Sequence, residues 1–172
     1  MSASPTACPS TPPDASPGAA MTILIAEDDD GHAELVRICL QEAGVTNPLI
    51  RFRNGQEVLD FLEKPAVAPG CRDGEQYVLL LDIRMPKIDG MEVLQRIKAL
   101  PSLRKMPVVM LTTTDDPRAV DACYALGCSF FICKPVEAQA FFETLRRLGA
   151  FLRSIVAPRM GDPATDHGTS CL

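Results

Sequence analysis

The chain has 172 residues, of which 47% are apolar and 23% charged, and it carries a net charge of −5. That balance suits one ordinary globular domain with tails. No apolar run reaches the ~18 residues of a membrane span, no basic flank precedes an apolar core at the N-terminus, and no Lys/Arg cluster offers itself to nucleic acid, so a cytoplasmic protein without membrane or nucleic-acid partners is expected.

Residues 1–20 are rich in Pro, Ser and Ala and hold no large apolar side chain after Met1. They cannot bury enough surface to offset chain entropy, so a disordered tail is expected, with Met21 a candidate first residue of the folded part. The folded domain is expected over 21–156. Residues 157–172, with Pro158, Gly161, Pro163 and Gly168, read as a second flexible tail.

Between the tails, strands and helices alternate. Thr22–Ala26 is a short apolar strand that runs into Glu27-Asp28-Asp29-Asp30. A helix follows to about Ala43, with Leu35, Val36, Cys39, Leu40 and Ala43 on one stripe and Gly44 past its end. Leu49–Arg53 is a weaker strand, and Asn54 caps a helix carrying Val58, Leu59, Phe61 and Leu62. Residues 64–76 contain Pro65, Pro69, Gly70 and Gly74 and read as a long loop.

Val78-Leu79-Leu80-Leu81 is too short an apolar run for a helix and reads as a strand buried on both faces, ending in Asp82. Gly90–Leu100 is an amphipathic helix stopped by Pro101. Pro107–Leu111 is a strand leading into Thr112-Thr113-Thr114. Asp116-Pro117 is a cap-plus-first-turn signal for a helix ending at Gly127. Ser129–Cys133 is a strand followed by Lys134-Pro135, and Glu137 to about Val156 is the final helix.

Such alternation predicts an α/β fold: a five-stranded parallel sheet, doubly wound as (βα)5, with right-handed crossovers. All strand ends that carry polar residues then share one edge. The acidic stretch Glu27-Asp28-Asp29-Asp30, Asp82, Thr112 and Lys134 converge there, where an open parallel sheet places its ligands.

Carboxylates gathered at one edge repel each other, by about 3 kcal/mol for a pair ~5 Å apart at an effective dielectric of about 20. A hard divalent cation among them removes the conflict, and Mg²⁺ suits oxygen ligands of this kind. Lys134 adds positive charge, and Thr112 offers a hydroxyl to a phosphoryl oxygen. Asp82 is the natural nucleophile, since an ionised carboxylate forms an acyl phosphate without a general base. Each signal alone has a plain structural explanation: an acidic turn or a lone Thr caps a helix, and Lys-Pro marks a loop. Their joint occurrence at successive strand ends carries the chemical reading.

The segments ILIAEDDD, LLLDIRMPKIDG, PVVMLTTT and FFICKPV resemble the receiver domain of two-component response regulators, over roughly Thr22 to Val156. The resemblance implies that Asp82 is phosphorylated by a sensor histidine kinase. It implies that Asp28 binds Mg²⁺ directly, Glu27 mainly through metal-bound water, and the Arg84 carbonyl as a further ligand. Thr112 would bind the phosphoryl group and Lys134 would pair with it. The Lys134–Pro135 bond is expected to be cis. Phe131 falls at the family's switch aromatic, often Tyr, so a hydroxyl hydrogen bond is lost here. Pro86 and Gly90 fit the tight loop after the phosphorylation site. LTTT, the loop before the third strand and the long last helix are similar to short stand-alone regulators paired with phytochrome-type histidine kinases. Only a tail follows Val156, so no DNA-binding or enzymatic output domain is expected.

In the last helix Ala138, Phe141, Phe142, Leu145, Leu148, Leu152, Ile155 and Val156 follow helical spacing. About 20 residues make ~30 Å, longer than the strands beneath. Phe151, Leu152, Ile155 and Val156 are therefore expected to project and be exposed, and a homodimer through this helix is expected. Arg84 and Thr114, two residues beyond Asp82 and Thr112, are expected to flank the path of an attacking water, with Arg84 slowing hydrolysis.

Other classes fit less well. An aspartyl phosphatase with D-x-D-x-T after the first strand would need Thr where this chain has Gly31. An FMN protein would need a Ser/Thr/Gly-rich loop where this chain is acidic. A scaffolding receiver that is never phosphorylated has no use for the complete site. The seven cysteines form no C-x-x-C pair, and His32 and His167 lie in no ligand cluster, so zinc is not expected.

Overall fold

The computed structural model describes residues 21–63 and 74–160. The 1–20 tail, residues 64–73 of the loop read over 64–76, and the end of the chain from 161 lie outside the described residues.

The elements alternate as β1 (Thr22–Ala26), α1 (Asp30–Glu42), β2 (Leu49–Phe52), α2 (Gly55–Glu63), β3 (Tyr77–Leu81), α3 (Gly90–Ala99), β4 (Val108–Thr112), α4 (Pro117–Ala125), β5 (Phe130–Cys133) and α5 (Ala138–Leu152). The five strands form one parallel sheet in the order β2-β1-β3-β4-β5, with β3 at its centre. The expected fold class is the one observed, and strand boundaries differ from the sequence reading by a residue or so.

The continuous apolar runs are explained by burial on both faces. Alternate residues of the central strands enter two separate cores. Leu24, Leu79, Leu81 and Met110 pack with Leu59, Val93 and Leu94 under α2 and α3. Ile23, Ile25, Leu80 and Val109 pack with Val36, Leu40, Leu145 and Leu148 under α1 and α5. Helix starts follow their caps: Asp29 accepts from the His32 N–H at 2.7 Å, Asp89 from Glu92 at 2.9 Å and Asp116 from Arg118 at 3.0 Å. Asn54 Oδ1 accepts from the Glu57 N–H at 3.0 Å.

Two expectations about the C-terminus are corrected. Helix α5 stops at Leu152 rather than near Val156, and its 15 residues, about 22 Å, do not project as a rod. The first part of the expected tail instead folds back across the base of the sheet. Met160 N–H donates to the Glu75 carbonyl at 2.8 Å and Gly74 N–H to the Met160 carbonyl at 2.6 Å, beside a Gln76–Arg159 bridge. Ala157 and Met160 are buried, one in each core. Burial of these two side chains plus the new backbone bonds outweighs one more helical turn, and Pro158 opposes that turn.

Candidate metal and phosphoryl site

The loops at the carboxyl ends of β1, β3, β4 and β5 meet at one edge of the sheet. Asp82 N–H donates to the Ala26 carbonyl at 3.0 Å, continuing the β1–β3 ladder one step past the strand. Lys134 N–H donates to the Thr112 carbonyl at 2.6 Å, doing the same for β4 and β5. These bonds fix the backbones on which the reactive side chains stand.

Oxygens of Glu27, Asp28 and Asp82 lie within 4.8 Å of one another. Glu27 and Asp82 are buried, and Asp28 is exposed at the mouth. Lys134, only 4% exposed, reaches between the two buried carboxylates, with Nζ 2.8 Å from Asp82 Oδ2 and 2.5 Å from Glu27 Oε2. Burial pushes the Glu27 carboxyl above the usual carboxylate range, and the charge of Asp82 adds to this. The Lys134 hydrogen bond and charge offset only part of it. One lysine thus stands against three carboxylates, and the three clustered side-chain donors are all carboxylate oxygens. That set fits a hard divalent cation with waters and phosphate oxygens completing its shell.

Gly90 lets the loop after β3 close tightly. A Cβ on Gly90 would lie 2.1 Å from the Asp82 carbonyl oxygen, and the Gly90 N–H donates to the Ile83 carbonyl at 2.9 Å. Within this turn the Arg84 N–H lies 3.4 Å from Asp82 Oδ1, with the Arg84 side chain exposed. Thr112 is fully buried, and its Oγ1 accepts weakly from the Thr114 N–H at 3.5 Å.

Of the residues singled out in the sequence, Glu27, Asp28, Asp82 and Lys134 come together in direct contact or near it. Thr112 is on the adjoining strand end. Phe131 stands apart, half-buried on β5 and lining an apolar groove of about 320 Å³ with Phe130, Leu148 and Phe151. The Lys134–Pro135 bond is trans, since no described peptide bond is cis. Trans is the intrinsically favoured form by ~0.5–1 kcal/mol, and Lys134 reaches both carboxylates from it. Leu152 is corrected from exposed to buried, at 1% exposure, whereas Phe151 and Val156 are exposed and Ile155 is half-buried.

Two basic residues at the end of β2, Arg51 and Arg53, also reach this edge without a motif to mark them. Arg51 donates to the carbonyls of Glu27 and Asp28, and Arg51 and Arg53 both pair with Asp30. Asp30 is accordingly held below the usual carboxylate range, first by the Arg51 hydrogen bond and then by the Arg53 charge. The available signal was positional: any residue at the carboxyl end of a strand faces this edge. His32, read from the sequence as lying in no ligand cluster, stands at the edge of this one, with Nδ1 3.6 Å from Glu27 Oε1.

Residues 23–146 match the response regulator receiver domain family. Response regulator Rcp1 of Synechocystis sp. is 31% identical over 137 residues, which cover 79% of this chain and 92% of Rcp1. The Mn²⁺-bound form of Rcp1 has a TM-score of 0.72 at 29% identity, covering 80% of this chain and 98% of that one. A receiver domain from Rhodospirillum rubrum has a TM-score of 0.77 at 37% identity, covering 82% and 99%. The phosphorylated cyanobacterial phytochrome response regulator RcpA has a TM-score of 0.73 at 27% identity, covering 81% and 99%. With the family match running over most of the folded chain, on a sheet of the expected topology, this protein belongs to the response regulator receiver domain family.

Proposed function

We propose that the protein is a phosphoacceptor of two-component signalling, with Asp82 taking a phosphoryl group from a phosphohistidine of a sensor histidine kinase. The observation that carries this reading is the Lys134 ammonium seated between Asp82 and Glu27 beside the Asp28 carboxylate. An Asp82 carboxylate oxygen attacks phosphorus, the N–P bond to histidine breaks, and the imidazole leaves with the electron pair. Lys134 already rests on the nucleophile, so it is placed to follow negative charge onto a phosphoryl oxygen. The Thr112 hydroxyl, which accepts from Thr114, has its own proton left to donate to another. Glu27, Asp28, Asp82 and the Arg84 carbonyl would hold Mg²⁺, which would supply further charge neutralisation. The protein turns over its own acyl phosphate and is not a multiple-turnover enzyme.

Similarity to Rcp1 and RcpA supports a phytochrome-type kinase as the partner. The cytoplasm is the matching compartment, and no described helix is long and apolar enough to cross a membrane. A homodimer would use the surface that remains exposed near the end of α5, namely Phe151 and Val156 with half-buried Ile155 beside them, without Leu152. Arg84 and Thr114 would control the lifetime of the acyl phosphate from the site's rim, and Phe131 would report its formation.

The test is incubation with acetyl phosphate and Mg²⁺ followed by intact-mass measurement. One added phosphoryl group is expected, lost with chelator and lost in Asp82→Asn. No added phosphoryl group on the wild-type chain, or an equal gain in Asp82→Asn, would overturn the reading.

A further inference from the structure

Arg51 sits near the end of β2, next to β1 in the sheet. Its guanidinium spends its donors on a single loop. Nε and Nη2 donate to the Glu27 carbonyl at 3.2 and 3.0 Å, and Nη2 also donates to the Asp28 carbonyl at 3.2 Å. Nη1 donates to Asp30 Oδ1 at 2.5 Å, and Arg53 Nη2 approaches the same oxygen at 3.1 Å. The two carbonyls so held belong to the two residues whose carboxylates join Asp82 in the acidic cluster. A planar fork with several donors fixes a backbone far better than a point charge does.

We propose that Arg51 is a positioning residue for the divalent cation site: it clamps the backbone of Glu27 and Asp28 so that their carboxylates stay aimed at Asp82. This rests on the reading of those three carboxylates as cation ligands. Asp30 completes the clamp by neutralising Nη1, which lets a guanidinium stand this near a cation site at reduced electrostatic cost. Partners of this outer kind typically alter metal affinity by ~10–100-fold.

The sign of the effect separates positioning from charge. A guanidinium near the site repels a bound cation, so by charge alone its removal tightens binding. As a clamp, its removal loosens binding. Mn²⁺ is titrated into the full chain at fixed pH and ionic strength, and free Mn²⁺ is followed by electron paramagnetic resonance. Wild type is expected to bind one Mn²⁺ and Asp28→Asn to lose it; if wild type fails to bind, or Asp28→Asn binds as well, the cation-site reading itself falls, and the clamp with it. With those controls in place, Arg51→Met is expected to raise the Mn²⁺ Kd about tenfold or more. Arg51→Lys, which keeps the charge and most of the stem but not the fork, is expected to lose most of that affinity too and serves if the methionine variant does not fold. Arg37→Met, an equal charge change at the Glu34 pair on α1, is expected to leave Kd unchanged. An Arg51→Met Kd equal to or below that of wild type overturns the proposal, as does full affinity in Arg51→Lys.

Discussion

Lys134 Nζ lies 2.8 Å from Asp82 Oδ2, although the two residues are 52 positions apart and directly follow strands separated by β4. Both side chains are buried, and the same ammonium holds Glu27. Lys134 is therefore the counter-charge of the metal-free site. Lys134→Met leaves two buried carboxylates facing each other. Removing one partner of a buried ion pair costs about 3–5 kcal/mol, and a loss of that order is expected in urea unfolding without metal. Added Mg²⁺ is expected to recover more stability in Lys134→Met than in wild type, because the variant's site is the more negative. Equal recovery in the two proteins would mean that the cation binds elsewhere.

Gly90 is held by space rather than by conformation. The Cβ of an alanine would fall 2.1 Å from the Asp82 carbonyl oxygen, a backbone atom that cannot swing aside. Gly90→Ala is expected to cost about 3 kcal/mol, the upper range for overpacking, and to weaken Mn²⁺ binding by shifting Asp82. Gly31→Ala is the comparison, because its Cβ would meet only the Asp29 side chain at 3.2 Å. A denaturation midpoint for Gly90→Ala equal to that of Gly31→Ala would contradict the close-approach argument.

The sheet edge was legible from sequence because strand periodicity and polar strand ends are local signals, and parallel topology then forces them together. Glu27, Asp82 and Lys134 could be placed in one site with no knowledge of their contacts. Arg51 was not legible, because an arginine near a strand end looks like any surface cation until its fork is seen on two carbonyls. The burial of Leu152 is hidden for a different reason. Helical spacing continues to Val156, but the period cannot show that residues 153–160 leave the helix to bury Ala157 and Met160.

Thiol accessibility tests the packing between α4 and β5. Cys123 and Cys128 are buried near the C-terminal turn of α4, where the Cys128 N–H donates to the Cys123 carbonyl at 3.0 Å, and Cys133 is exposed. Burial pushes the Cys123 thiol up to about 11 and raises Cys39 and Cys128 as well. The thiolate is the reactive form, so at pH 8 only roughly a thousandth of Cys123 is reactive even when reached. Among these four cysteines, peptide mapping after brief iodoacetamide treatment is expected to find Cys133 labelled and the other three protected until denaturant is added. Rapid labelling of Cys123 in the native protein would show that α4 opens far more readily than its packing implies.

The end of α5 separates core from contact surface by mutation. Leu152 is 1% exposed and packs with Leu148, Leu145 and Ala157 beneath the sheet. Leu152→Ala is expected to lower stability by about 2–4 kcal/mol, as buried leucine truncations do, in both dilute and concentrated protein. Val156 is 87% exposed, and Val156→Ser is expected to change monomer stability by less than about 0.5 kcal/mol. If the exposed surface just beyond α5 joins two copies, Val156→Ser lowers the mass seen by light scattering at micromolar concentration, while its urea midpoint measured on dilute monomer stays close to wild type. The reverse pattern, with Leu152→Ala changing association at unaltered stability, would place Leu152 on the surface and contradict the folded-back path of residues 153–160.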